Sequence, residues 1–305
     1  MLKRRGFTLV ELMIAIVLLG VVGLAMAQTM TVMLRTTSAQ VQMAAAQGTA
    51  RTGSLAIPQE FREIGYDTIP GIGTDTDLEA IAGNQITFRA MRGMGVTCSV
   101  EPTGFLEFRV LKPAFGLRVP QATDSFRLFV EGDKNLGADD QWVSMRVSGV
   151  DLNSTCGANA AIRLTLASRP QMRLVGTGGL VDVTSVYFFV GGPIRWYERM
   201  QYAPVVDATS GQTYLGARSL NLGEELQPMI GPLSGSSGFA LTYYAADGSV
   251  LNPASAPKIN VRSIGISMTG STTAPITMSG SSARARGQAP VVTRVALRNN
   301  LRVSP

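Results

Sequence analysis

The chain has 305 residues, of which 45% are hydrophobic and only 16% are charged, against about 25% charged residues in an average soluble domain. Lys3, Arg4 and Arg5 supply three of the net +6 charges, and the other basic residues are scattered, which argues against nucleic acid as a partner. Histidine is absent, so the commonest general base and metal ligand is missing. Sequence motifs of hydrolases, metalloproteases and nucleotide-binding proteins are also missing. The chain is therefore predicted to be a non-enzymatic protein with no catalytic residues and no cofactor.

The first element in chain order is an apolar run near the N-terminus. Residues 12–34 carry no charge, and about 20 apolar residues of helix span the hydrocarbon core of a membrane. Basic residues 3–5 precede the run. Because positive charge stays on the cytoplasmic side, the rest of the chain is predicted to lie on the far side of the membrane.

Glu11 interrupts this apolar run, where an ionised side chain costs several kcal/mol, about 2.5–3.5 at a helix centre. A secretory signal cleaved after residues 25–27 (AMA) leaves Glu11 unexplained, and so does an uncleaved anchor helix. A third interpretation explains it. Cleavage between Gly6 and Phe7 creates an α-amino group that neutralises the carboxylate, within the chain or between staggered chains. Glu11 would then set the register between packed, identical helices.

The segment KRRGFTLVELMIAI, residues 3–16, resembles the cleavage and methylation motif of type IV prepilins and type II secretion pseudopilins. The resemblance implies that a prepilin peptidase cuts after Gly6 and methylates Phe7, and that Glu11 is the assembly residue. It implies a single-pass inner-membrane protein with a periplasmic head, which then enters a pilus or pseudopilus at the cell surface. The implied partners are the prepilin peptidase, other major and minor pilins, and the inner-membrane assembly platform.

The helix is predicted to continue beyond the membrane, because alanine, glutamine and methionine favour helix and no proline precedes Pro58. Pro58 is expected to break or kink it, and one or two further turns end at Gly65. Small and apolar residues at helical spacing predict the helix face that docks on the chain's own sheet. This predicted stripe consists of Val41, Ala44, Ala45, Gly48, Thr52 and Leu55.

Short, β-rich and often alternating segments follow from about residue 84 and predict strands. Two strand-like runs flank Gly191-Gly192, which indicates a tight hairpin, whereas residues 207–219, 231–238 and 270–290 are predicted to be loops and turns. The predicted strands are NQITFRA, GFLEFRVL, SFRLFVE, QWVSMRVSGV, AIRLTLA, the runs before and after Gly191-Gly192, FALTYY, INVRSIGISMTG and VVTRVALRNN.

These elements predict an α+β, pilin-like fold, in which a long N-terminal transmembrane helix packs on a mostly antiparallel β head. The predicted divisions are a leader peptide at 1–6, a transmembrane assembly helix at 7–34, its periplasmic continuation at 35–65 and the head at 66–305.

The length and the order of the segments resemble those of the larger, PilW-type minor pilins and the J-type pseudopilins. The resemblance implies a minor pilin that primes or joins pilus assembly, with a type II secretion pseudopilin as the alternative. From another class, a secreted envelope binding protein or an adhesin remains an alternative.

Cys98 and Cys156 are the only cysteines. Outside the inner membrane the compartment permits disulfides, so a disulfide between them is favoured over two free thiols.

The segment DKNLGADDQ places four oxygen-bearing side chains in one loop, and oxygen ligands at alternate positions suit Ca²⁺. The twelfth position holds Ser144 where the calcium-binding loop needs glutamate, so an acidic turn is favoured and no metal is expected. The calcium candidates are Asp133, Asn135, Asp139 and Asp140.

Overall fold

The computed structural model describes residues 9–69, 73–101, 104–132, 135, 140–174, 177–184, 187, 190–277 and 283–297. One long helix, α1 (Leu9–Arg62), precedes a head built from strands. The strands are β1 (Tyr66–Ile69), β2 (Gly73–Thr76), β3 (Leu78–Ile81), β4 (Ile86–Val100), β5 (Glu107–Leu111), β6 (Phe115–Gly116), β7 (Ser125–Val130), β8 (Gln141–Met145), β9 (Val147–Cys156), β10 (Asn159–Leu166), β11 (Gln171–Arg173), β12 (Leu180–Asp182), β13 (Pro193–Val206), β14 (Thr213–Ser219), β15 (Gln227–Leu233), β16 (Phe239–Tyr244), β17 (Val250–Leu251), β18 (Ser263–Ser271), β19 (Ile276–Thr277), β20 (Arg284–Ala285) and β21 (Gln288–Ala296).

Most strands join one sheet in the order β17-β16-β18-β15-β14-β13-β4-β5-β10-β9, with β21 paired to β18 and with β7 and β8 beside β13. Every strand pair within the described residues is antiparallel. Two short 3₁₀ helices, Ser236–Gly238 and Lys258–Asn260, complete the head. The predicted α+β class, with a long N-terminal helix on an antiparallel β head, is confirmed.

The head has two hydrophobic cores, and the long strands β4 and β13 run through both. The first core lies under α1 and includes Phe88 of β4 and Tyr202 of β13. The second core lies among β5, β7, β8 and β10 and includes Trp196 of β13. Successive side chains of a strand point to opposite faces. Phe126 and Leu128 of β7 therefore point the same way and pack in the second core.

The helix docks on the first core through its second half, but not with the predicted stripe. Its fully buried positions include Ala46, Ala50, Gly53, Ile57 and Phe61, whereas the residues predicted to dock are exposed. Both faces carry small residues at helical spacing, so small size alone does not distinguish them. The large apolar side chains of Ile57 and Phe61, at the head end of the helix, determine which face of α1 is buried.

Close packing sets the distance between helix and sheet. A Cβ atom at Gly270 of β18 would lie 2.1 Å from the carbonyl oxygen of Ala46, so only glycine permits this approach. At the end of the helix, the ring of Phe61 meets that of Phe88 edge-on at 5.3 Å and stacks on that of Tyr202 at 6.1 Å. The helix continues through Pro58 to Arg62. Pro58 therefore does not break it, and the predicted further turn is present but ends at Arg62 and not at Gly65.

Three predictions about loops and turns are wrong, wholly or in part. The described residues between Asp182 and Gly191 are not in a strand. Strand β13 pairs with β4, with Pro193 opposite Val96, instead of forming a hairpin there. Strand β14 (Thr213–Ser219) lies within the loop predicted at 207–219, and β15 extends to Leu233 in the turn predicted at 231–238. The rest of that predicted turn is present as a bend followed by the 3₁₀ helix Ser236–Gly238. The glycines of β14 and β15 lowered the predicted strand propensity, yet they are needed for packing, since a Cβ at Gly216 or Gly231 would meet Val205 or Tyr214 within 3 Å.

The serine-rich segment 279–290 belongs to the loop predicted at residues 270–290. Residues 278–282 lie outside the described residues. The described part contains β20 and the start of β21, and the backbone N–H of Gly287 donates a hydrogen bond of 3.0 Å to Thr272 Oγ1. This part of the prediction is therefore wrong.

Candidate assembly site

The first half of α1 projects from the head with its side chains exposed. All residues from Leu9 to Leu34 are exposed, and this part of a helix is about 39 Å long at 1.5 Å per residue. Within the described residues, α1 is the one helix that is long and apolar enough to cross a membrane. Side chains of this kind bury their surface only in lipid or against other apolar helices.

Glu11 lies in the first turn of α1 with an exposed side chain. It is the only ionisable residue between Leu9 and Leu34. The positive end of the helix dipole favours a carboxylate at this position. Gly6 and Phe7, the predicted processing site, lie outside the described residues.

Hydroxyl groups in and just after the apolar half of α1 are satisfied within the helix. Thr29 Oγ1 donates to the carbonyl oxygen of Ala25 at 2.9 Å, Thr31 donates to Ala27, and Thr36 donates to Val32 at 2.9 Å. A polar group without a partner is costly in lipid. These bonds therefore make the apolar half compatible with a membrane or with a dry helix bundle.

The second half of α1 has an exposed face opposite the head. We call this face the outer stripe, and its members are Val41, Ala44, Ala45, Gly48, Thr52 and Leu55. It begins after the apolar half of the helix. Its six members carry no charge, and the exposed Arg51 borders it between Gly48 and Leu55. Its small side chains permit close approach by another helix.

A half-buried ion pair ties the end of α1 to the head. Arg92 Nη1 lies 3.1 Å from Glu60 Oε1 of the helix, and Arg92 Nε lies 2.7 Å from Glu198 Oε2 of β13. Burial by itself would raise the pKa of Glu198, but the hydrogen bond and charge of Arg92 outweigh it and hold this pKa below its usual value. The ionised carboxylate is thus part of the link between helix and head.

The structure brings together one predicted pair in the head and leaves the metal prediction open. Cys98 and Cys156 form a disulfide with a Cα–Cα distance of 6.3 Å, linking β4 to β9. Of the calcium candidates, only Asn135 and Asp140 are described. Among the described residues, no group of three histidine, cysteine, aspartate or glutamate residues could hold a metal ion. Calcium binding by the whole loop stays untested.

Sequence reasoning missed the Arg92 link, because Glu60 and Glu198 are far apart in the sequence and nothing local marks them as partners. The apolar stretch and Glu11, in contrast, are local features that the sequence displays directly.

The fold and this site define a pilin-like α+β protein, in which an exposed apolar helix extends from an antiparallel β head. Residues 1–27 match the family model described as the prokaryotic N-terminal methylation motif. The match supports the resemblance to the superfamily of type IV pilins and pseudopilins. Comparisons with curated proteins and with solved structures found no match.

Proposed function

We propose that the chain is a minor subunit of a type IV pilus, of the PilW type, with a structural and not a catalytic role. The observation that carries the proposal is the methylation motif at residues 1–27, which leads into an apolar helix exposed over about 39 Å. Prepilin peptidase removes residues 1–6 and methylates Phe7. Residues 7–34 cross the inner membrane, and residues 35–305 lie in the periplasm until assembly.

The assembly step is the transfer of the apolar half of α1 from lipid to a bundle of pilin helices. In that bundle the carboxylate of Glu11 neutralises the N-terminal amine of a neighbouring subunit. A buried charge pair with one partner removed leaves an uncompensated charge, which costs about 3–5 kcal/mol. Pairing at Glu11 therefore favours one register of the helices over others.

The outer stripe supports helix packing beyond the membrane. A neighbouring helix can approach it closely at Ala45 and Gly48, where a Cβ added to Gly48 would have no atom within 4 Å. The head leaves this face uncovered. The stripe would thus extend the contact with neighbouring major or minor pilins along the fibre axis.

A J-type pseudopilin of a type II secretion system is the second candidate, because the same motif and helix serve both assemblies. Either candidate uses the prepilin peptidase and an inner-membrane platform. Deletion of this chain in its host separates them: loss of surface pili supports the first candidate, and loss of secreted enzymes with intact pili supports the second.

The mass of the N-terminal peptide from native membranes tests processing. We expect a chain that begins at N-methylated Phe7. A chain that begins at Gln28 would contradict the proposal, since Glu11 would be absent from the mature protein. An intact Met1 would likewise contradict processing in that host.

The Glu11→Gln variant tests the assembly step, with Glu225→Gln on the exposed surface of the head as the matched control. We expect Glu11→Gln to lower the amount of the subunit in sheared fibres by at least about tenfold, while its amount in membranes and its processing stay unchanged. The control should enter fibres normally. Equal incorporation of both variants would refute the role of Glu11.

A further inference from the structure

A groove of about 1130 Å³ lies beside β7, β8 and β11 of the head. Two acids line it, and both are paired with arginines. Glu79 lies 2.7 Å from Arg199 and 3.3 Å from Arg89 of the groove itself, and Asp124 lies 2.6 Å from Arg118. The arginines in its lining are Arg89, Arg127, Arg146, Arg169 and Arg173. The fold thus gathers positive charge that is scattered in the sequence.

Two of these arginines have side chains available for a ligand. Arg146 and Arg173 are exposed, and within the described part of the chain neither guanidinium has a hydrogen-bond or ion-pair partner. Arg146 follows β8 directly, one residue after Met145, which faces the second core. Strand alternation therefore directs Arg146 outward, on the same side as Ser144.

A buried glutamine holds Arg173 at the groove. Gln141 of β8 is 5% exposed. Its Nε2 donates to the carbonyl oxygen of Arg173 at 2.7 Å, and its Oε1 accepts from the backbone N–H of Arg173 at 3.0 Å. These two bonds fix β11 beside β8. The positions of Arg146 and Arg173 are therefore built into the fold and do not depend on a flexible loop.

Two further arginines lie at or near the floor of the groove. Arg127 of β7 is 4% exposed and lies opposite Arg195 of β13 in the strand register. Their guanidinium groups lie over aromatic rings, that of Arg127 at 5.9 Å from the ring centre of Tyr197 and that of Arg195 at 4.0 Å from the ring centre of Trp142.

Guanidinium groups bind carboxylate and phosphate oxygens through paired hydrogen bonds. The groove is larger than the usual range for small-molecule pockets, about 300–1,000 Å³, which suits a chain-like ligand. Single-stranded nucleic acid needs open aromatic faces on which bases stack. Here Tyr197 is 3% exposed and Arg195 lies over Trp142. The neutral polar groups at the groove are instead exposed hydroxyls, Ser144 and Ser168.

We propose that this groove binds an acidic polysaccharide. Its carboxylates pair with Arg146 and Arg173, and its hydroxyl groups form hydrogen bonds with Ser144 and Ser168. The proposal concerns the head alone and is independent of fibre assembly. It would give the subunit a binding activity toward uronate-containing polymers.

Binding of a fluorescent polygalacturonate oligosaccharide to the full-length protein in detergent, at physiological salt, tests the proposal by anisotropy. The variant is Arg146→Gln with Arg173→Gln. The control is Arg62→Gln with Arg284→Gln, which removes the same charge from exposed positions outside the groove. We expect the groove variant to bind at least about tenfold more weakly, and the control to bind nearly as tightly as the unaltered protein.

A second variant, Ser144→Glu, adds negative charge at an exposed position of the same groove and should also weaken binding. Absence of binding by the unaltered protein would overturn the proposal, and so would equal losses in the groove and control variants. Tighter binding of a single-stranded oligonucleotide than of polygalacturonate, at the same salt and sensitive to the same arginines, would overturn it in favour of nucleic acid.

Discussion

Substitution of Gly270 by alanine tests how closely the helix lies against the sheet. The new Cβ would lie 2.1 Å from the carbonyl oxygen of Ala46 and 3.0 Å from its carbonyl carbon. Ordinary contact begins at 3.4 Å, and the obstacle is backbone, so the helix must move outward by more than about 1 Å. A gap of that size removes about a quarter to a half of the dispersion energy between the atoms of the helix and those of the sheet that face it.

Overpacking of this kind costs about 1–3 kcal/mol, and the gain from replacing a strand glycine offsets about 0.5–1 kcal/mol of it. We therefore expect a net loss of about 1–2 kcal/mol in the free energy of unfolding. Urea unfolding of the full-length chain in detergent, followed by circular dichroism and tryptophan fluorescence, measures it.

Gly149→Ala in β9 is the matched control, since a Cβ there would lie 3.8 Å from the nearest atom, in Thr165. This control should be neutral or slightly stabilising. If the two variants unfold at the same urea concentration, the close approach of Ala46 to Gly270 does not hold the helix, and the account of docking is wrong.

Two further predictions concern the head. Replacing both Cys98 and Cys156 by serine should lower the free energy of unfolding by about 4 kcal/mol, because the disulfide closes a loop with a sequence separation of 58. Added reductant should destabilise the unaltered protein to the same level and leave the double variant unchanged. The lowered pKa of Glu198 contributes stability that is present above the ordinary glutamate pKa of about 4.3 and is lost as the pH falls through the lowered value. In that acidic range, the free energy of unfolding of Glu198→Gln should fall less steeply with decreasing pH than that of the unaltered protein. The same pH dependence in both proteins would refute the contribution of this carboxylate.

Local features of the sequence were sufficient to predict the N-terminal apolar helix. The apolar run, the basic residues before it and Glu11 lie within a few turns of one another, and the lipid environment acts on each helix residue separately. The methylation motif is likewise a continuous segment. For the same reason the α+β class was predictable, because helix and strand periodicities are local properties.

Contacts between distant segments were beyond sequence reasoning. The face of α1 that docks was predicted wrongly because Ala45 and Ala46 are equally small. The burial of Ile57 and Phe61 in the first core and the close approach of Ala46 to Gly270 distinguish the two faces. Strands β14 and β15 were missed because glycine disfavours strands, whereas Gly231 is needed where Tyr214 packs against it.

The apolar, motif-bearing helix and the β-rich head could be predicted from the sequence alone, since both follow from composition and periodicity along the chain. Three features are visible only in the folded chain: the helix face that stays exposed, the charges that link helix to head, and the meeting of Arg146 and Arg173 at one groove. Each of these depends on strand pairing, which brings together residues such as Gln141 and Arg173 that are 32 positions apart. The free energy of strand pairing comes from packing and hydrogen bonds between segments, so it cannot be inferred from one segment alone.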